Sequence, residues 1–330
     1  MADTVPMPLT LTAAADDNGR RLDRILRKAL RDLPLSAIYR LLREKAVRVD
    51  GKNAAASDRV RAGQTITVEI DYEPPIAGAG ESRKNSSLAA PDILFEGAGL
   101  LVLNKPAGLV VHGKDGGQGG SLEDQVRSWL APKIPSSLSF RPGPLHRLDK
   151  PSSGIIVFSA SLEGARYFSS LMRERKIRKF YLALAGGNIE NSEIWEDDLY
   201  RDKEKRKTFS GAPPYRTGAE AKAAYTRVSP LAGNSACTLI LAEIETGRTH
   251  QIRAQAAARG HALLGDSKYG GPPMKDGFFL HSWRMEFPSG NPAGFPDNAS
   301  LPLVITAPVP EKFLAKIREC FGFIPPSVAL

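Results

Sequence analysis

Apolar positions recur at helical spacing over residues 21–33, where Leu22, Ile25, Leu26, Ala29, Leu30 and Leu33 share one face and the arginines take the other. Pro34 stops this helix, and Ser36 is the expected N-cap of a second helix reaching about Glu44. Val47 and Val49 then alternate with Arg48 and run into Asp50-Gly51, a dipeptide that tolerates the positive φ angles of a tight hairpin. A second alternating run, Ile66, Val68 and Ile70, completes a compact helix–helix–strand unit. Over residues 73–90, which contain Pro74 and Pro75, no apolar period survives and a linker is expected.

Beyond Pro91 the pattern changes. Strand-like runs cover 93–95, 100–103, 155–158, 180–184 and 239–244, while helical spacing covers 121–130 and 161–175. Ser121 and Asp124 form a capping box at the first of these helices. Strands and helices do not alternate regularly, which predicts an α+β fold with a central mixed, largely antiparallel sheet flanked by helices and loops. The expected organisation is an N-terminal tail over 1–18, a small α/β domain over 19–72, the linker, and a large domain over 91–330.

Composition narrows the chemistry. The chain has 330 residues, 42% of them hydrophobic, enough for one large core and one small one. No apolar run approaches the length of a membrane span, and the first residues do not read as a signal peptide. Two cysteines, Cys237 and Cys320, suit a reducing cytoplasm rather than a disulfide framework. The five histidines show no ligand spacing, so no metal is expected. The net charge is +9, and residues 20–61 alone hold thirteen Lys or Arg against five acids. A lopsided excess in a short window points to phosphate contact, whereas a merely solvated face needs only balanced charge. The glycine-rich stretch from His112 to Gly120 lacks the Gly-Lys-Ser/Thr of a phosphate loop and is expected to be a mobile loop.

Two resemblances follow. Arg21-Leu22-Asp23, Ser36 to Arg43 and Val47-Arg48-Val49-Asp50-Gly51 resemble the ribosomal protein S-four-like RNA-binding module, in which Arg40, Arg43, Lys45 and Arg48 would touch phosphates. The run from Pro144 to Gly154, with His146-Arg147-Leu148-Asp149 at its centre, resembles the first motif of the RluA-like pseudouridine synthases. Asn104 to His112, Lys179 to Leu184, Thr246-Gly247-Arg248-Thr249-His250-Gln251-Ile252-Arg253 and Gly260 to Asp266 fit that family in the expected order. Two small departures, Ser152 in the aspartate loop and Ala262 in place of a proline, remove no charged or nucleophilic group.

The resemblance implies isomerisation of uridine in RNA, with no cofactor. Asp149 would be the nucleophile, at either C1′ of the ribose or C6 of the uracil. Arg253 would orient that carboxylate and favour its ionised form, and Tyr181 would stack on the target base. Arg147 would fill the space vacated by an unstacked base, a role suited to a planar guanidinium. His146, Arg248 and His250 read equally as RNA contacts or as scaffold. The implied partner is RNA, most like large-subunit ribosomal RNA, with a monomeric chain, no membrane and no obligate protein partner. Transfer RNA as substrate, or a non-catalytic assembly factor, are the alternatives, although the latter fits poorly with an intact Asp149, Tyr181 and Arg253. A carboxylate-pair hydrolase would need a second acid beside Asp149, and none stands out.

Overall fold

A computed structural model of the chain describes residues 8–70, 88–113, 120–134, 137–202, 204–211, 220–289 and 301–328. The N-terminal unit contains β1 (Leu9–Thr12), β2 (Arg20–Arg21), α1 (Leu22–Ala29), α2 (Leu35–Arg43), β3 (Val47–Val49), β4 (Lys52–Asn53), β5 (Arg59–Val60) and β6 (Thr65–Val68). Four of its strands form a sheet in the order β1-β6-β3-β4. Leu22, Ile25 and Leu26 of the first helix, with Leu30 at its C-cap, pack on Ile38, Val47, Ile66 and Val68, as the helical and alternating patterns require. Asp50 and Gly51 both take positive φ angles, 48° and 76°, the signature of a type I′ hairpin turn between β3 and β4.

Three local readings are corrected. The first helix ends at Ala29 instead of continuing to Pro34, and Leu30 closes it with φ −107° and ψ 58°. Ser36 lies inside α2, whose N-cap is Pro34: the preset φ of proline, −63°, lets its carbonyl accept from the Ala37 and Ile38 N–H groups. Leu9–Thr12, within the stretch read as a tail, is an edge strand paired with Thr65–Val68. Most of the expected linker and of the glycine-rich loop falls outside the described residues.

The large sheet comprises β7 (Ile93–Gly97), β8 (Leu100–Lys105), β9 (Gly143–Pro144), β10 (Ser153–Ser159), β11 (Arg178–Gly186), β12 (Glu193–Asp202), β13 (Lys207–Ser210), β14 (Lys222–Gly233), β15 (Cys237–Ile244), β16 (Leu280–Glu286) and β17 (Val304–Thr306). Its main order is β13-β12-β14-β15-β11-β16-β10-β8-β7, antiparallel except where β10 runs parallel to β16. Around it lie α3 (Leu122–Leu130), α4 (Leu162–Arg173), α5 (Gln251–Ala258) and α6 (Glu311–Phe321). The fold is α+β, as expected.

The central strands are covered on both faces, which explains the unbroken apolar run Ile155–Phe158. Ile156 and Phe158 join Val126 of α3 and Ile252 of α5 on one side. Ile155 and Val157 meet Phe168 and Leu171 of α4 on the other. The capping box forms as expected: the Ser121 hydroxyl accepts from the Asp124 N–H, and the Asp124 carboxylate accepts from the Ser121 N–H at 2.8 Å.

A buried aspartate fastens the N-terminal unit to the segment between α3 and β9 of the large domain. Asp17 is fully buried. Its Oδ1 accepts from the Ser137 hydroxyl (2.9 Å), the Ser139 N–H (3.0 Å) and the Ser139 hydroxyl. Oδ2 accepts from the N–H groups of Ala14 (2.9 Å) and Leu138 (3.0 Å). Asp16 accepts from the Leu162 N–H at 2.9 Å, and Arg20 donates to the Ser139 carbonyl at 3.2 Å. Burial opposes the charge of Asp17, but the bonds from Ser139, Ala14, Leu138 and Ser137 outweigh it and hold the carboxyl below its ordinary 3.8. A depressed folded-state value means that the contact is fully present above the ordinary aspartate pKa and is lost as the pH falls through the lower one. Asp17→Ala leaves several buried donors unsatisfied and is expected to cost about 3 kcal/mol in chemical denaturation at neutral pH. A change within 0.5 kcal/mol, on the same order as an ordinary surface substitution, would show that the fastening is dispensable.

Candidate active site

The loop that carries Asp149 lies between β9 and β10 and is held at both ends. On the β8 side, the fully buried Lys105 donates from Nζ to the carbonyls of Pro106 (2.8 Å), Leu109 (2.9 Å) and Lys150 (3.2 Å). Burial pushes this ammonium down to about 8, and the negative charge of Asp149 works in the opposite direction. On the β10 side, Gly154 has φ 101°, and a Cβ there would sit 2.1 Å from the Ser282 carbonyl oxygen. Only glycine permits β10 to approach β16 so closely at the end of the loop.

The opposing wall is α5. Its alanines let it nest against the sheet, and this carries Arg253 into the interior at 5% exposure. Arg253 Nη1 donates to Asp149 Oδ2 at 2.6 Å, while Nε and Nη2 grip Asp266 at 2.7 and 2.8 Å. The guanidinium also lies over Phe278, 4.1 Å from the ring centre. Burial works against its charge, but the Asp266 bonds and the charge of Asp149 prevail and raise its pKa. Gly265, with φ 87°, places Asp266: a Cβ there would meet the Gly277 carbonyl oxygen at 1.9 Å.

His250 caps α5 in a left-handed conformation, φ 56°. Its Nε2 lies 3.7 Å from Asp149 Oδ1, and its Nδ1 lies 2.9 Å from the Tyr269 hydroxyl. That hydroxyl oxygen accepts the Thr208 N–H at 2.9 Å. Burial pushes His250 down to about 4, against the pull of Asp149, so the ring is neutral near pH 7.

One oxygen of Asp149 is thus occupied by Arg253, and the other stands at a cavity of about 400 Å³. Arg147, Lys150, His250, Lys268 and Phe278 help to line that cavity. A carboxylate fixed through one oxygen, in a basic pocket of this size, can act as a nucleophile toward a bound small group.

Asp149, Arg253, His250 and Arg147 therefore converge, with Arg147 exposed at the cavity edge. Tyr181 on β11 is buried at 7% exposure and does not line the cavity; burial raises its phenol, a bond with Ser282 works the other way, and the charge of Asp149 raises it further. His146 turns away from the site. Its Nε2 accepts the Val157 N–H at 3.0 Å and its ring stacks on Phe168, which makes it scaffold. Burial and the Lys179 charge push it down to about 4. Arg248 is exposed and braces β14 by donating to the Ala223 carbonyl at 3.0 Å. Arg40, Arg43, Lys45 and Arg48 are exposed on the N-terminal unit, with Arg40 3.9 Å from Glu44 and Arg48 3.1 Å from Glu69. Sequence reasoning gave no role to Lys105, Asp266 or Tyr269. All three stand inside segments that fit the family, Tyr269 in Lys268-Tyr269-Gly270, but their partners are visible only in three dimensions.

Residues 99–258 match the RNA pseudouridylate synthase family, and residues 20–66 match the S4 domain. With the α+β fold and the aspartate–arginine pair, these matches show that the chain belongs to the RNA pseudouridylate synthase family. Ribosomal large subunit pseudouridine synthase C of Vibrio parahaemolyticus is 31% identical over 284 residues, covering 82% of this chain and 86% of that protein. Ribosomal large subunit pseudouridine synthase D of Nitrosomonas europaea is 32% identical over 291 residues, covering 84% and 80%. The fold is shared with human RNA pseudouridylate synthase domain containing 1, at a TM-score of 0.53 and 20% identity over 70% of this chain and 87% of that one.

Proposed function

We propose that the enzyme isomerises uridines to pseudouridine in large-subunit ribosomal RNA, with the target base flipped into the cavity and Asp149 as covalent nucleophile. The observation that carries this reading is the asymmetry of the carboxylate: Oδ2 is held by Arg253 at 2.6 Å, and Oδ1 remains to react. Attack by Oδ1 at C1′ expels N1 of the uracil, or attack at C6 precedes cleavage of the glycosidic C1′–N1 bond; the uracil then rotates, C5 bonds to C1′, and the bond from Oδ1 to C1′ or C6 breaks to free the carboxylate. The proton leaves C5 and N1 takes one up, so no atom is gained and no redox partner is needed. Arg147, at the cavity edge, would stack in the gap left by the base and offset an unstacking cost of a few kcal/mol. Tyr181, buried and near enough to Asp149 to feel its charge, would stack on the flipped base.

The names of the relatives, the S4 match and the basic stretch over 20–61 support ribosomal RNA as substrate. The test is tritium release from [5-³H]uridine-labelled RNA. Release from large-subunit ribosomal RNA, and little from transfer RNA, is expected. Release from transfer RNA alone would reassign the substrate, and none from either would remove the catalytic reading.

A further inference from the structure

A second cavity, of about 280 Å³, lies behind the loop that joins β15 to α5. Arg201 of β12, Thr208 of β13, Lys222 of β14, and Arg248 and Thr249 of the loop line it. The two cavities share this loop: Thr249 faces the second and its neighbour His250 faces the first. His250 takes a left-handed conformation at this point, φ 56°.

The charges in this second cavity are unbalanced. Arg201, Lys222 and Arg248 stand against one acid, Glu220, which is 3.2 Å from Lys222, and neither guanidinium group has an acid partner among the described residues. Arg248 is braced by the Ala223 carbonyl through Nε only. Arg201 is half-buried, and its Nη1 is sealed from solvent without a hydrogen-bond partner among the described residues. A buried guanidinium donor without a partner carries a free-energy cost that is relieved when the side chain turns toward the cavity it lines and meets an acceptor there, and its fork geometry matches a phosphate. The charge of Arg201 is also felt by His250 and by Lys268, both on the wall of the first cavity. Consecutive phosphates of one strand could therefore straddle the shared loop.

We infer that the second cavity binds a backbone phosphate of the RNA strand next to the target nucleotide, with Arg201 as its main ligand. This rests on the reading of the chain as an RNA-modifying enzyme. It adds a contact made by the catalytic domain itself, separate from the basic face of the N-terminal unit. The phosphate anchors the strand so that the flipped nucleotide is drawn into the first cavity.

The experiment compares wild type, Arg201→Gln, Arg201→Lys and the remote charge control Arg318→Gln in single-turnover tritium release and in direct RNA binding across a salt series. For Arg201→Gln the half-saturating RNA concentration should rise about 5–20-fold, and the slope of log affinity against log salt should fall by about 0.7–0.9. The loss should appear in affinity rather than in the saturating rate. Arg201→Lys should keep the wild-type slope with a smaller rise, because a point charge remains while the fork is lost. Unchanged affinity and slope in Arg201→Gln, beside an active wild type, would overturn the inference and leave the proposed function standing. An equal fall in slope for Arg318→Gln would overturn it too, as a bulk charge effect. An inactive wild type would instead remove the reading on which it rests. Should Arg201→Gln fail to fold by circular dichroism, Lys222→Gln and Arg248→Gln probe the same phosphate from exposed positions, and normal salt slopes in both would refute it.

Discussion

Asp149→Ala is expected to abolish tritium release, by at least about 10⁴-fold, while the protein stays folded. The two halves of this expectation have separate causes. Catalysis would fail because the proposed covalent step has no other candidate: Asp266 is buried at 1% exposure with both oxygens taken by Arg253. Folding should survive because Arg253 keeps its two bonds to Asp266 after Asp149 is removed. The freed Nη1 then faces a cavity that water can enter. Asp149→Asn should be equally inactive, since an amide fills the same space without nucleophilic charge. Retention of more than about one hundredth of the wild-type rate in either variant, far above what loss of a nucleophile leaves, would remove Asp149 from the covalent role.

The second large effect concerns Arg253 and combines stability with activity. Arg253→Leu strips both carboxylates of their partner, and Asp266 cannot reach solvent. Breaking a buried pair from one side typically costs roughly 3–5 kcal/mol, because the orphaned charge remains behind. Urea denaturation should show a loss of that order, and tritium release should fall to background. Arg253→Lys sharpens the argument. It keeps the charge but cannot make three directed bonds to two carboxylates, so it should stay folded more often yet lose at least about 100-fold in rate. Wild-type activity in Arg253→Lys would mean that charge alone, without the fork, suffices at this position.

Much of the site was legible in the sequence because its key residues sit in contiguous motifs. Asp149 and Arg253 lie 104 positions apart, yet each is bracketed by neighbours that identify it. What the motifs could not convey was which side chains face the cavity. His146 adjoins Arg147 in sequence, but it turns inward to satisfy the Val157 N–H. Tyr181 sits on a strand whose residues are nearly all buried. The N-terminal helices and hairpin were readable from local periodicity, except at helix ends, where capping geometry rather than apolar spacing decides. Strand β12 escaped notice because Trp195 and Leu199 are its only buried apolar residues, four apart, amid a run of acids and exposed positions. Strand β16 was hidden by His281 and Ser282, polar residues fully buried inside the sheet. Asp17 gave little local signal, because apart from the Ala14 N–H its partners lie about 120 residues away.

That distant fastening bears on how the enzyme chooses its uridine. A module on a free tether searches a volume and raises local concentration, and it tolerates many separations between its own target and the reacting base. A module locked in place by Asp17 behaves as one arm of a caliper. The arginines of α2 and the carboxylate of Asp149 then stand at a set span, and selection becomes a question of RNA shape. On the proposed reading, a uridine would qualify when folding holds it at that span from a surface the module grips, whatever the bases between.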